Sequence, residues 1–332
     1  MPMELSPADA PAPIVGLGVV VVDLLAVVEA YPQPDTKQDV QTSLIQVGGP
    51  VPTALAQLAT FGHRCRLIGR WGNDPFGDVI EADLRTIGVG FAPDCRRTDL
   101  TTGHSQVWID AGTGQRTSVT QRSDLQRFAL SESDHAALVS ARLLHLDGWP
   151  SELALQAARI AKAAGALVAV DTGSPKPGIE ELLQIADVVN APRRFVEQHL
   201  GTSDIAAGAE RIADLGPRIV TVTDGGHGAV MHADGESLRT AALDLSAGGR
   251  GWSDARSEAP VRGNATTPRC IDTNGAGDVF SGAIVHGVLA GRPPAETLKF
   301  AAAAAGLKCR RLGNRDALAD EPSVREAAQT LA

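Results

Sequence analysis

Hydrophobic and polar positions alternate in blocks along the chain. Ile14–Val22 (IVGLGVVVV) is an unbroken, mostly β-branched run that closes on Asp23. Such a run predicts a strand buried on both faces, the pattern of parallel sheets. Tyr31–Gln46 is polar and alternating with two prolines, and predicts solvent-facing strands. Gly48-Gly49-Pro50 then breaks the chain. Val51–Phe61 (VPTALAQLATF) follows at helical spacing, and Gly62 stops it. Arg66–Gly69 predicts a short strand and Phe76–Ile87 a helix. Thr102–Thr120 (TGHSQVWIDAGTGQRTSVT) reads as a hairpin around Gly112-Thr113-Gly114. Four further apolar runs, Leu143–Leu146, Leu167–Val170, Ile185–Val189 and Ile219–Val222, lead into Asp147, Asp171, Asn190 and Thr223-Asp224. Glu152–Ala164, Gly275–Leu289 and Ala295–Cys309 read as helices.

Strand–helix alternation of this kind predicts an α/β fold: a doubly wound, mostly parallel sheet flanked by helices. Ligands of such sheets bind beyond the carboxyl ends of the strands. Asp and Asn are ordinary turn formers and helix caps taken singly. Their recurrence at several strand ends marks that edge as a site. The stretch Ala241–Pro268 is rich in small residues and lacks periodicity, so it reads as a long surface loop.

Length and charge narrow the classes. At roughly 150 residues per domain, 332 residues allow two domains or one large α/β domain, and 1–332 is read as one. A charged fraction of 21% with 43% hydrophobic residues excludes a disordered chain. The net charge of −9 argues against nucleic acid, because phosphate backbones call for clustered Lys and Arg. The four cysteines show no C-x-x-C spacing, which fits a reducing cytoplasm rather than a zinc site or disulfide framework. Met1–Pro13 is proline-rich without a basic start and reads as a tail, not a signal peptide. Ile14–Val28 is too short, and too broken by Asp23, to span a membrane.

Gly16-Leu17-Gly18 lacks the third glycine of a dinucleotide fingerprint, because position 21 is Val21. No Walker-type G-x-x-x-x-G-K-[ST] and no H-E-x-x-H occurs. The strongest signal is Asp272-Thr273-Asn274-Gly275-Ala276-Gly277-Asp278 before an apolar helix. Small residues at 275–277 let successive N–H groups converge at a helix N-terminus, where the dipole also favours an anion. Asp278, in the first turn, is placed to take a proton from a hydroxyl while the anion hole holds a transferring phosphoryl group.

DTNGAGDVFSGA resembles the C-terminal signature of the ribokinase-like (PfkB) carbohydrate kinases, D-T-x-G-A-G-D-x-F-x-x-A. Gly48-Gly49 opening a helix, and Gly69-Arg70-Trp71-Gly72-Asn73-Asp74-Pro75-Phe76-Gly77, are similar to the N-terminal signatures. Thr102-Gly103 through Gly114-Gln115-Arg116-Thr117 resembles the lid hairpin, and Val222–Gly228 the nucleotide-site turn. The likeness runs from Ile14 to Asn314. Tyr31-Pro32, Phe300–Lys308 and Cys309 look most similar to ketohexokinase-like and sulfofructose-kinase-like members. The resemblance implies a small β-sheet lid, formed by about 31–47 and 101–122, that closes over the acceptor and pairs two subunits into a homodimer. It implies Asp278 as general base, with Gly275, Ala276 and Gly277 as the anion hole. Asp23, Gly48, Gly49 and Thr53 would meet a sugar, and Asp147 would touch it. Thr223, Gly225, Gly226 and Gly228 would line ATP. Asn190 would hold Mg²⁺ through water, and Asp272 with carbonyls near 309–313 a monovalent cation such as K⁺.

Three departures bear on the substrate and, at Arg193, on the Mg²⁺ assignment. Thr53 replaces the usual Asn; a hydroxyl stands where an amide would both donate and accept. Arg193 replaces the Glu of N-x-x-E, leaving Glu197 as a substitute. Asp171-Thr172-Gly173-Ser174-Pro175 replaces D-x-N-x-R. Lys37, in the lid segment, is either a solvated lysine or a partner for an acidic sugar, and Arg116 and Arg122 stand the same way. The expected activity is ATP-dependent phosphorylation of a ketose-like or acidic sugar. The alternatives are a nucleoside kinase with Trp108, Phe91 or Tyr31 as a wall for the base, and a non-catalytic sensor.

Overall fold

The structure is a computed structural model, and it describes residues 11–122, 128–245 and 270–331. The loop expected over 241–268 therefore lies outside the described residues from 246 onward. The strands in chain order are β1 (Ile14–Leu17), β2 (Val21–Val28), β3 (Thr42–Gly48), β4 (Cys65–Ile68), β5 (Trp71–Gly72), β6 (Val89–Gly90), β7 (Arg96–Arg97) and β8 (His104–Asp110). They continue with β9 (Arg116–Gln121), β10 (Leu143–Leu146), β11 (Leu167–Asp171), β12 (Val188–Pro192), β13 (Ile219–Thr223), β14 (Ala229–Ala233) and β15 (Glu236–Thr240). The helices are α1 (Pro50–Thr60), α2 (Pro75–Thr86), α3 (Glu132–Ser140), α4 (Ser151–Ala163), α5 (Ile179–Ile185), α6 (Arg193–Phe195), α7 (Ile205–Ala213), α8 (Ala276–Leu289), α9 (Pro294–Lys308) and α10 (Glu321–Ala328).

Among the described residues the large sheet runs β15-β14-β13-β12-β11-β10-β1-β4-β6. Its pairings are parallel except at β13-β14 and β14-β15. One face packs against α1, α2, α8, α9 and α10, and the other against α3, α4, α5 and α7. This is the α/β doubly wound architecture that the alternation predicts. Leu55, Leu58, Ile80 and Leu84 on the first face are fully buried; each contributes roughly 1.5–3 kcal/mol of burial energy.

A second sheet, β3-β2-β8-β9, forms a lid. β2 pairs antiparallel with β3 and parallel with β8, and β8 pairs antiparallel with β9. Alternation along β2 puts Asp23, Leu25 and Val27 on the inner face, where Leu25 and Val27 pack with Val107 and Ile109. Leu24 and Ala26 face outward, in register with Gln106 and Trp108.

Two strand expectations change. Ile14–Val22 is not one strand: the chain leaves the large sheet after Leu17 and enters the lid at Val21. At the break, Asp147 Oδ2 accepts the Val19 N–H at 2.8 Å. Asp23 consequently stands on a lid strand, and β2 adds residues 21–28 to a lid expected to begin at 31. Residues 31–41 form an exposed connection and only Thr42–Gly48 is strand. Pro32 and Pro34 lack the N–H that a ladder requires.

Candidate active site

The site is assembled where α8 points its N-terminus at the inner face of the lid. Gly275 caps α8 with φ 81°, a left-handed conformation that favours glycine. A Cβ there would also press on Asn314 and Thr53 at 3.2 and 3.3 Å. Among the described residues no backbone acceptor meets the N–H groups of Gly275, Gly277 or Asp278. The first turn of a helix leaves such donors free, so they form a ready anion site. Ala276, expected in the same hole, has its N–H on the Thr273 carbonyl at 3.2 Å. The open N–H groups of this turn are thus those of its neighbours. Gly277 is exposed, and a Cβ on it would meet nothing within 4 Å, so the approach is open.

Asp278 projects from the first turn of α8 and is half-buried. Burial, and then the nearby Asp147 and Asp23 charges, push its carboxyl up to about 6, against the opposing pull of Arg116. Asp171, at the end of β11, is likewise raised by burial and by the Asp278 charge. Arg116 lies opposite Ile109 on the inner face of the lid, which explains its reach toward these carboxylates.

Asp23 is buried, and Asn274 donates from Nδ2 to its Oδ2 at 3.2 Å. Burial raises its pKa, while hydrogen bonds from Asn274 and Ser105 oppose the rise. Gly48 leaves the space that the Asp23 carboxylate fills: a Cβ there would lie 2.3 Å from its Cγ. Gln46 lies opposite Asp23 across β2-β3. Its Oε1 accepts the Asn314 N–H at 2.9 Å, and its Nε2 is buried without a partner among the described residues. Such a donor is costly unless a ligand satisfies it. Thr53 is buried on α1, and its hydroxyl accepts from Asn314 Nδ2 at 3.1 Å. The amide missing at position 53 therefore arrives from Asn314. Gln46 and Asn314 were both missed in the sequence; an unpaired glutamine on a strand and an asparagine after the last long helix carry no motif.

Asp147 borders this cluster, close enough for its charge to raise the Asp278 carboxyl, and the remaining expected residues stand apart from it. Asp147 is buried with its oxygens on the Val19 and Trp149 N–H groups, at 2.8 and 2.9 Å. Lys37 is exposed in the 31–41 connection. Trp108 faces outward from the lid, Phe91 packs edge-on against Trp71, and the Tyr31 hydroxyl bonds the Gln115 carbonyl. None of these rings walls the inner face. Arg122 lies over the Trp149 ring at 5.2 Å.

Thr223 ends β13 two strands from Asp171, and Gly225–His227 form a short 3₁₀ turn. Cβ atoms on Gly225 and Gly226 would meet nothing within 4 Å, so this turn offers an open ledge. Asn190 lies between Asp171 and Thr221 in register across β11-β12-β13. Its Nδ2 donates to Asp171 at 3.3 Å and its Oδ1 accepts from Thr221 at 2.9 Å. Arg193 pairs with Asp224 at 2.5 Å and with Glu197 at 3.0 Å, so the Glu197 carboxylate is engaged on the surface. Among the described residues no group of three His, Cys, Asp or Glu side chains forms a metal cage. Mg²⁺ seldom needs one, since it keeps its waters and binds through one or two carboxylates and the substrate phosphates. The repelling Asp171 and Asp278 carboxylates fit that chemistry.

The match of the pfkB family carbohydrate kinase description to residues 12–321 decides the family. The chain belongs to it. Mouse ketohexokinase is 24% identical over 307 residues, covering 89% of this chain and 95% of the relative. The acarbose 7(IV)-phosphotransferase of Actinoplanes is 28% identical over 297 residues, 88% of this chain and 90% of the relative. Among solved structures, Arabidopsis thaliana ribokinase in complex with ribose and ATP superposes with a TM-score of 0.75 at 24% identity. That match covers 96% of this chain and 99% of the other. PfkB carbohydrate kinases are phosphotransferases with sugar hydroxyls as acceptors, and this chain is one of them.

In this pfkB kinase, Asp272, the residue expected to meet a monovalent cation, has the Lys308 ammonium beside two of its oxygens. Lys308 Nζ donates to the Asp272 carbonyl at 2.7 Å and lies 3.1 Å from Oδ2. Among the described residues no helix is long and apolar enough to cross a membrane.

Proposed function

We propose that the protein transfers the γ-phosphoryl group of ATP, with Mg²⁺, to a hydroxyl of a small ketose-like or acidic sugar. The observation that carries this reading is Asp278, set in the first turn of α8 beside open N–H groups, with Asp23 presented to it by the lid. Asp278 takes the proton of the attacking hydroxyl. The N–H groups of Gly275, Gly277 and Asp278 hold the transferring phosphoryl oxygens, and positioning plus electrostatics do most of the work in this chemistry. Bound Mg²⁺ supplies positive charge to those oxygens; Asp171 is the carboxylate the site offers it, and Asn190 orients Asp171. Thr223 and Gly225, Gly226 and Gly228 line the nucleotide. The ribokinase complex with ribose and ATP supports both substrates.

Asp23, Gln46 Nε2 and the Asn314–Thr53 pair give the acceptor pocket one carboxylate and several neutral polar groups. That set suits vicinal hydroxyls, because a carboxylate accepts two hydroxyl hydrogen bonds. A nucleoside is disfavoured, since the rings expected to wall its base lie elsewhere. The lid closes over the sugar and excludes water, which suppresses ATP hydrolysis. Its outer face carries exposed Ile45 and Val119 in one row with Leu24, and pairs two copies into a homodimer. The free cysteines agree with a cytoplasmic setting.

The test is ADP release with Mg·ATP across ketoses, aldoses, acidic sugars and nucleosides, beside Asp278→Asn. Turnover with a sugar that disappears in the variant is expected. A nucleoside as sole acceptor would replace the sugar reading, and ligand binding without turnover of any acceptor would leave a sensor.

A further inference from the structure

Asp272 and Lys308 are both fully buried, and they meet beneath the segment that shapes the anion hole. Asp272 Oδ1 accepts the Asn274 N–H at 2.7 Å, and Oδ2 accepts the Gly313 N–H at 2.8 Å. From this anchor the strap runs straight into function. Thr273 donates from both its N–H and its hydroxyl to Gly114 in the lid turn, at 3.1 Å each. Asn274 holds Asp23, and Gly275 caps α8. The other side of the strap is tied to the end of α9, where the Cys309 carbonyl accepts the Ile271 N–H at 2.8 Å.

A backbone carbonyl and a carboxylate oxygen aimed at one point, 2.7 and 3.1 Å away, are the donor set of a large monovalent cation. A primary ammonium group has the same charge as K⁺ and nearly the same size, and it is a compact point charge with three donors. Here it is delivered covalently from the last turn of α9, the helix end where a cation is also favoured. We propose that Lys308 is a built-in monovalent cation: it occupies the place beside Asp272 where a free ion would act, and it makes the enzyme indifferent to K⁺. Lys308 is thus a positioning residue. It neutralises Asp272, fixes the 272–275 strap, and through it sets both the anion hole and the lid contact. The inference rests on the kinase reading for its catalytic consequence but not for its cation consequence, which can be read without turnover.

Thermal melting and activity would be compared at fixed ionic strength in choline chloride, KCl and NH₄Cl. For the wild type, melting should be the same in all three salts and activity in KCl within about twofold of that in choline. Lys308→Ala opens space for an ion: its melting temperature should drop in choline and recover in KCl, NH₄Cl or methylammonium chloride, with kcat recovering in parallel. Lys308→Met fills that space without a charge and should not recover. A wild type stabilised by K⁺ over choline, or activated more than about fivefold, overturns the proposal. So does a folded Lys308→Ala that no cation rescues. If Lys308→Ala does not fold in any salt, the wild-type melts decide. An enzyme that phosphorylates none of the acceptors still reports through its melts, which separates failure here from failure of the kinase reading.

Discussion

Asn274 donates to Asp23 across 3.2 Å, joining the strap before α8 to the second strand of the lid. On the proposed kinase reading, this one hydrogen bond couples the carboxylate that would meet the acceptor to the strap that leads into α8. Replacing Asp23 with Asn keeps the shape and removes the charge. Hydrogen bonds to charged groups contribute about 1.5–3 kcal/mol, and about 1.4 kcal/mol is tenfold in affinity. Asp23→Asn should raise the acceptor KM by roughly tenfold to a hundredfold on that scale, with the KM for ATP unchanged. Asn274→Ala should raise it less, because Ser105 still faces Asp23. Steady-state kinetics with both substrates varied checks this. An unaltered acceptor KM in Asp23→Asn would remove Asp23 from the sugar pocket.

Much of this arrangement was legible in the sequence, and the remainder has identifiable causes. Asp272–Asp278 reads directly, because small residues and a carboxylate at a helix start have few other uses. The exit of the chain from the large sheet did not read. Ile14–Val22 is uninterrupted, and the partner that takes the Val19 N–H at the break, Asp147, lies 128 positions away. Gln46 and Asn314 meet 268 positions apart, through the register of β3 on β2 and the fold of the loop after α9. Lys308 closes an Ala-rich helix and looks like a solvated cation there; only its burial against Asp272 assigns it another task. Trp108 reads as a candidate wall for a base, but strand alternation puts it on the outer face of the lid.

Asp278 makes activity and stability respond to pH in opposite senses. A general base works deprotonated, and burial raises this carboxyl to about 6. kcat/KM should therefore fall as pH drops below that value, approaching tenfold per pH unit. Asp278→Asn should lose about 10²–10⁴ in kcat, the usual range for a general base. Stability runs the other way. A folded-state pKa above the unfolded one gives stability that is present in acid and lost as pH rises through the folded value. Asp278→Asn removes that penalty, so it should melt higher than wild type at pH 8 and not at pH 4. Equal activity of variant and wild type would dismiss Asp278 as the base.

The outer row of the lid runs Ile45, Leu24, Gln106, Val119. Ile45 is 58% exposed and Val119 60%, more than any other described large hydrophobic residues. A two-sided sheet with an apolar outer row is suited to pairing with a second copy of itself. Sedimentation velocity should give a dimer for the wild type and a monomer for Ile45→Glu combined with Val119→Lys. The ADP-release assay would show whether the monomer also loses acceptor affinity, as a lid held by its partner requires. A wild type that sediments as a monomer rejects the pairing.

Acid should weaken the fold through half-buried His63 and buried His145. Arg142 Nη2 lies 2.6 Å from His63 Nδ1, so that nitrogen accepts and Nε2 carries the proton, donating to His286 Nδ1 at 2.8 Å. His286 Nε2 lies 2.9 Å from Arg292 Nη2, a donor, and 3.6 Å from the Glu321 carboxylate. A second proton on His63 would oppose Arg142. Burial first, then His286 and Arg142, push its pKa down to about 4; burial alone pushes His145 in β10 to about 4. Neither His145 nitrogen has a partner among the described residues. Folded values below the unfolded one mean that the unfolded chain takes up more protons between pH 6.5 and 4. Stability from these histidines is thus complete above pH 6.5 and lost as pH falls through about 4. Asp171 and Asp278 act in the reverse direction, so differences between variants are the readout. His145→Leu should melt higher than wild type, and the gap should widen from pH 7 to pH 4.5. His63→Gln should melt slightly lower at pH 7, by about 1 kcal/mol for one exchanged hydrogen bond, and close that gap on acidification. Gaps that stay constant across the range would show that neither histidine titrates on unfolding.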